Sequence, residues 1–226
     1  MLSNAIDVIK SKEFNSLDYI NRFNNTRVHN HETVSQHTHW VVLFAHLILE
    51  GLEDAGMFKN FKPELKWQVK YEVLQACIFH DFDESITGDI LHTFKHNDFN
   101  GADVKKSITS YINHKLSKFD EGTVISNTLI KSLKLADDSK LIKFIVKMAD
   151  WLACIKFEWA ELQVGNVHFQ QILTRSDIAL NKLICEFISY LYRAQIIPLG
   201  ELFNPIETYL NQYKDINDKL NKQNNG

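Results

Sequence analysis

The segment "CIFHDFDESITGD", residues 77–89, sets His80 and Asp81 directly after an apolar run and adds Asp83, Glu84 and Asp89. Two further residues share that pattern of polar chemistry in apolar company. At helical spacing, His37 lies on a face with Trp40, Val41 and Phe44, and His80 on one with Val73, Ala76 and Cys77. Asp150, inside "IVKMADWLACIKF", shares a face with Val146, Ala153, Cys154 and Phe157. Burying an unpaired carboxylate is costly, so Asp150 needs a cation, a hydrogen-bond donor or a metal. Together, two imidazoles and two carboxylates form a mixed nitrogen and oxygen donor set suited to Mn, Fe, Co, Ni or Zn. With no thiolate in the set, a closed structural zinc site is disfavoured. Four protein ligands around a six-coordinate ion leave room for water, which the ion acidifies toward a nucleophile.

Taken singly, none of these residues is decisive. A lone histidine on an apolar face is more often a hydrogen-bonded core residue than a ligand. A lone buried aspartate more often caps or pairs, and a His-Asp dipeptide is common by chance. The chain has 10 His, so some will look suggestive by accident. The constellation of His37, His80-Asp81 and Asp150 on three separate helices is stronger than its parts.

Those helices follow from apolar spacing of three and four, with little period-two alternation. The spacing predicts helices over about 4–13 and 16–24. Thr33-x-x-Gln36 resembles a capping box and opens a helix to about Leu52. Pro63 starts a helix over about 64–79 that stops at His80-Asp81, and Thr87-Gly88-Asp89 is turn chemistry. Further helices are expected over 101–119 and 125–134. Asp137 or Asp138 can cap a long helix to Val164, stopped by Gly165 and Asn166. Residues 176–195 and 205–220 complete the set. The reading is one all-α domain spanning residues 1–226.

Bulk properties agree. The chain has 226 residues, 8 Gly and 3 Pro, which favours helices over turn-rich β folds. A net charge of −3 offers no basic field for a nucleic-acid polymer. Cys77, Cys154 and Cys185 form no CxxC pair, which points to a reducing compartment and to small buried apolar residues. The first residues, "MLSNAIDVIKSKEFNS", lack a signal-peptide apolar core, and no stretch reaches the roughly 20 apolar residues of a membrane span. The expected setting is the cytoplasm of a bacterial or phage-infected cell.

The order H…HD…D resembles the HD-domain metal phosphohydrolases. The stretches "YINRF" (19–23), "ETVSQHT" (32–38), "FHDFDESITGDI" (79–90) and "VKMADWLACIKFEWAELQVGN" (146–166) look like the YfbR-like 5′-deoxynucleotidase branch. The similarity spans most of residues 15–170. It implies an HD-domain helical bundle with added C-terminal helices over about 175–220, a deoxynucleotide substrate and a homodimer or larger homo-oligomer. It implies one divalent ion, Co²⁺, Mn²⁺, Zn²⁺ or Fe²⁺ before Mg²⁺, held by His37, His80, Asp81 and Asp150. By the same resemblance Glu84 handles a proton near the metal water, and Asp89 positions sugar and scissile phosphate. Arg22 would bind phosphate, and Phe23 would lie against sugar or base. Elementary chemistry agrees, because an anionic phosphate ester among acids needs a cation and an arginine to offset them.

After Ile90 the family often continues Pro-Thr-Pro, whereas this chain reads Leu91-His92-Thr93 before a family-like Lys95. Lys95, with His92 and His96, is a candidate phosphate contact. Rival readings are a phage-type dATP or dNTP triphosphohydrolase with the same site, a non-catalytic nucleotide-binding HD module, and a purely structural bundle. Intact His37, His80, Asp81, Glu84 and Asp150 argue against the non-catalytic module, because a retired site has no physical reason to keep buried charges.

Overall fold

The structure, a computed structural model, describes residues 10–24, 26–89, 110, 114 and 139–194. The expected helices over 125–134 and 205–220, together with Lys95, His92 and His96, lie outside the described residues, as do all of the expected 101–119 helix but Ser110 and His114 and the first six residues of the expected 4–13 helix. Six helices are described: α1 (Lys12–Ser16), α2 (Val34–Asp54), α3 (Pro63–Phe79), α4 (Glu84–Thr87), α5 (Lys140–Gln163) and α6 (Phe169–Arg193). No strand occurs among the described residues, only an isolated antiparallel bridge between Asn21 and Thr33.

Each long helix starts where its sequence supplies a cap. Thr33 closes the full capping box of α2: its side chain accepts from Gln36 N, and the Gln36 side chain accepts from Thr33 N. Pro63 occupies the first turn of α3, where its missing N–H costs nothing. The cap of α5 is Ser139, whose hydroxyl accepts from Ile142 N; neither Asp137 nor Asp138 is the N-cap. Gly165 ends α5 at a φ of 87°, a left-handed turn that favours glycine.

Two expectations change. Residues 17–24 are turns and irregular backbone, not a helix. There the chain pairs across to the start of α2, with Arg22 N donating to Glu32 O at 2.8 Å and Val34 N to Ile20 O at 3.0 Å. Those tertiary bonds outcompete the local helical pattern. At the other end, α6 starts at Phe169 rather than near residue 176. Phe169 and Leu173 extend the buried stripe Ser176, Leu180, Phe187 and Leu191, and the polar residues between them hide that spacing.

Helix α5 is the axis of the described fold, packing against α2, α3 and α6. Its buried residues include Ile142, Ile145, Ala149 and Ala153 on one side and Phe144 and Ile155 on others, as suits a helix surrounded by neighbours. Opposite it, α2 contributes Val41, Ala45 and Leu49, all fully buried. Burying Val41 and Leu49 contributes roughly 1.5–3 kcal/mol each, and the methyl of Ala45 less. The short α1 packs on α4, and its Phe14 meets Phe82 in the turn before α4 with ring centroids 4.8 Å apart. No helix of the described residues is long and apolar enough to cross a membrane.

Candidate metal centre

Three helices bring one polar side chain each to a common point. His37, on the second turn of α2, is fully buried. His80 is the C-cap of α3. Asp150 stands mid-way along α5. One ligand atom from each of the three lies within 4.8 Å of the other two. His37 Nε2 is 3.1 Å from Asp150 Oδ1. Asp81 stands beside them: its Oδ2 is 3.0 Å from His80 Nε2 and 3.8 Å from His37 Nε2.

Whether these residues suit a metal is decided by the ring nitrogens. His80 Nδ1 is 2.8 Å from the carbonyl oxygen of Cys77, so it must donate. That leaves His80 Nε2 turned toward the carboxylates, buried and without an aligned hydrogen bond. Burial works against charging this ring, but Asp81 and then Asp150 outweigh it and push the pKa up to about 9. A high proton affinity at Nε2 means the pocket favours positive charge there, and a divalent ion competes for the same lone pair. Burial would also raise the two carboxyls. Instead His80 and Arg22 hold Asp81 low, and Lys147 and His37 hold Asp150 low. Two imidazoles and adjacent ionised carboxylates therefore fit a borderline divalent cation.

Cations of the chain itself ring this cluster. Arg22 Nη1 donates to Asp81 Oδ2 at 3.0 Å, and its Nη2 to Cys154 Sγ at 3.4 Å. Burial opposes the guanidinium charge, but the Cys154 sulfur and the carboxylates of Asp81, Asp150 and Glu84 raise its pKa above the ordinary arginine value. Lys147 Nζ donates to Asp150 Oδ2 at 2.9 Å. Phe23, next to Arg22, has a φ of 59°, a costly conformation for a bulky residue. Its ring stacks on Phe157 at 4.8 Å and meets Phe169 edge-on, so this trio anchors the turn that delivers Arg22.

Glu84 opens α4 and is buried, with its backbone N–H on Asp81 O at 3.0 Å. Asp89 is half-buried and follows Gly88, whose φ of 72° ends α4. Thus Arg22, His37, His80, Asp81 and Asp150 share one site by direct contact, and Glu84 adjoins it through Asp81.

The comparisons with known proteins fit this geometry. The family model for YfbR-like 5′-deoxynucleotidases matches residues 12–198. The chain belongs to the YfbR-like 5′-deoxynucleotidase family. A crystal structure of an HD-domain phosphohydrolase from Listeria innocua is similar in fold, with a TM-score of 0.63 at 18% identity, covering 90% of this chain and 96% of that one. No curated protein matches the chain.

This YfbR-like chain also carries partners that the sequence reading passed over. Lys147 is the cation that Asp150 needed, and its position three residues earlier on α5 was a readable signal. Cys154 is an acceptor for Arg22 rather than plain filler, and Cys185 is exposed; only Cys77 is the buried apolar residue expected of all three. Glu32, Glu158 and Glu161 are buried acids inside the family-like stretches 32–38 and 146–166 to which no role was assigned.

Proposed function

We propose that this protein is a metal-dependent 5′-deoxynucleotidase that cleaves deoxynucleoside 5′-monophosphates to deoxynucleoside and orthophosphate. The observation that carries the reading is the meeting of His37, His80 and Asp150 from three helices, with Asp81 and Arg22 against them, in a chain of this family. His37, His80, Asp81 and Asp150 would hold one divalent ion, of which Co²⁺, Mn²⁺, Zn²⁺ and Fe²⁺ suit the donor set better than Mg²⁺. When bound, the ion supplies Lewis acidity, drawing charge from a phosphoryl oxygen and acidifying water.

The chain's own residues supply the rest. Arg22, already charged and aimed at Asp81, binds the phosphate and exchanges one anion for another. Glu84 accepts the proton released when water attacks phosphorus, and Asp89 positions the sugar beside the departing 5′ oxygen. Phe23 and Lys95 belong to the substrate side of the same reading. The working unit is one HD domain, assembled as a homodimer or larger homo-oligomer.

A screen of deoxynucleoside mono- and triphosphates with Mn²⁺, Co²⁺, Zn²⁺ and Mg²⁺ tests the proposal. Orthophosphate from a monophosphate is the expected product. Tripolyphosphate from a triphosphate would replace this reading with the triphosphohydrolase one, and no product from any nucleotide would remove both. Glu84→Ala should keep the metal and lose most turnover. Loss of metal from that variant would contradict the proton-handling role.

A further inference from the structure

Behind the first imidazole sits a carboxylate that none of these roles uses. Glu32 is 4% exposed and directly precedes the N-cap of α2. Its Oε2 lies 3.7 Å from His37 Nδ1. Neither atom has a hydrogen-bond partner, and both are buried. Two buried polar atoms rarely face each other unsatisfied, because each costs about 1–3 kcal/mol when left so. The gap exceeds the ~2.9 Å of a formed N–H···O bond by less than an ångström, within reach of a small side-chain adjustment.

The backbone of Glu32 is fixed independently of its side chain. Its carbonyl accepts from Arg22 N at 2.8 Å, and its neighbour Thr33 carries the capping box and the bridge to Asn21. The carboxylate is thus held at the back of the His37 ring, while Nε2 at the front faces Asp150 Oδ1 at 3.1 Å. His80 shows the same arrangement with a different orienting group: Nδ1 on the Cys77 carbonyl, Nε2 toward the shared space.

We propose that Glu32 is a positioning residue for the metal centre. Its carboxylate takes the Nδ1–H of His37 and so presents the Nε2 lone pair to the ion. This rests on the metal reading above and extends it to a residue outside the ligand set. A carboxylate behind a ligating imidazole fixes the tautomer and raises ligand basicity, and losing such a partner costs about 10–100-fold in metal affinity. Arg22 and His37 would then be tied through one residue: Glu32 holds the phosphate arginine by its carbonyl and the metal imidazole by its carboxylate.

Co²⁺ affinity by chelator competition, measured on the full chain, tests this with Glu32→Ala and Glu32→Gln. Glu32→Ala should weaken Co²⁺ binding by about 10–100-fold. Glu32→Gln, whose amide oxygen still accepts from Nδ1–H, should recover most of that loss. Long-range ¹⁵N NMR on the Zn²⁺-loaded protein should show His37 protonated at Nδ1 in the wild type and in Glu32→Gln. Wild-type affinity in Glu32→Ala, or a Gln variant as weak as the Ala variant, overturns the inference and leaves the metal centre standing. His37 protonated at Nε2 also overturns it. No Co²⁺ uptake by the wild type overturns the metal centre itself, and this inference with it.

Discussion

Two carboxylates on one helix, about three turns apart, one fully buried and one half-buried, have opposite surroundings. Glu161 of α5 is fully buried and accepts four hydrogen bonds: from His29 N, Asn30 N and Asn166 Nδ2 at 2.7 Å each, and from Asn30 Nδ2 at 3.0 Å. Burial opposes its charge, and these donors overcome that and lower its pKa. All four are neutral amide N–H groups, so nothing here invites a further cation. Asn166 also donates to Arg27 O at 2.8 Å, so the pair pins the loop that leads into α2. Asp150 meets titratable groups instead: a lysine, an imidazole that a metal can claim, and a thiol 3.9 Å away. One carboxylate is satisfied by the fold. The other is placed among groups whose protons a ligand can replace, the surroundings expected of a functional acid.

The largest expected effect comes from Asp150. Asp150→Asn should abolish metal binding and turnover at a modest cost to the stability of the metal-free protein, because against burial Lys147 and His37 hold its carboxylate ionised and that contribution goes with the charge. Calorimetry with metal analysis reads both. A large stability loss with metal retained would reverse the assignment of the two acids. Glu161→Gln should do the opposite. It turns an acceptor of four bonds into a group with its own donors, costs on the order of 3–5 kcal/mol and lowers Tm by on the order of 10 °C. Any molecule still folded should bind metal normally.

Glu158 lies between the two on the same helix and tests the intermediate case. It has one donor, Ser176 Oγ at 2.7 Å, and burial raises its carboxyl to about 7 against Ser176 and Arg22. The folded state therefore binds this proton more tightly than the unfolded chain, whose glutamate titrates near 4.5. The contribution is full below about pH 4.5 and is lost as pH rises through about 7, a change of about 3 kcal/mol. Glu158→Gln should flatten the fall in stability between those pH values, followed by denaturant titrations at several pH values. An unchanged slope would place its pKa near the unfolded value. The smallest effect is expected at Arg22, which borders the metal cluster without joining it. Arg22→Ala should lower kcat/KM roughly 10- to 100-fold, the worth of one or two charge-assisted hydrogen bonds, with metal content unchanged. Lost metal would make Arg22 part of the cluster.

This contrast was only half legible in the sequence. His37, His80 and Asp150 stood out because each breaks an apolar face, and the HD block added order and spacing. The capping box at Thr33, Pro63 and the Gly165 stop were equally readable, since each is local chemistry. What the sequence hid was non-local. Residues 17–24 look helical until the bonds from Arg22 to Glu32 and from Val34 to Ile20 are known. Glu161 gave no signal of its own, because three of its four donors come from a loop more than a hundred residues away. Glu32 opens the stretch "ETVSQHT" without an assigned role, and only the fold puts its carboxylate behind His37.

The central claim is that His37, His80 and Asp150, with Asp81, close on one ion. Crystals grown with Co²⁺ and measured at the cobalt absorption edge test it most directly. A single strong anomalous peak is predicted, at coordination distance from His37 Nε2, His80 Nε2 and an Asp150 carboxylate oxygen. No peak there, or a peak held by other residues, would contradict it.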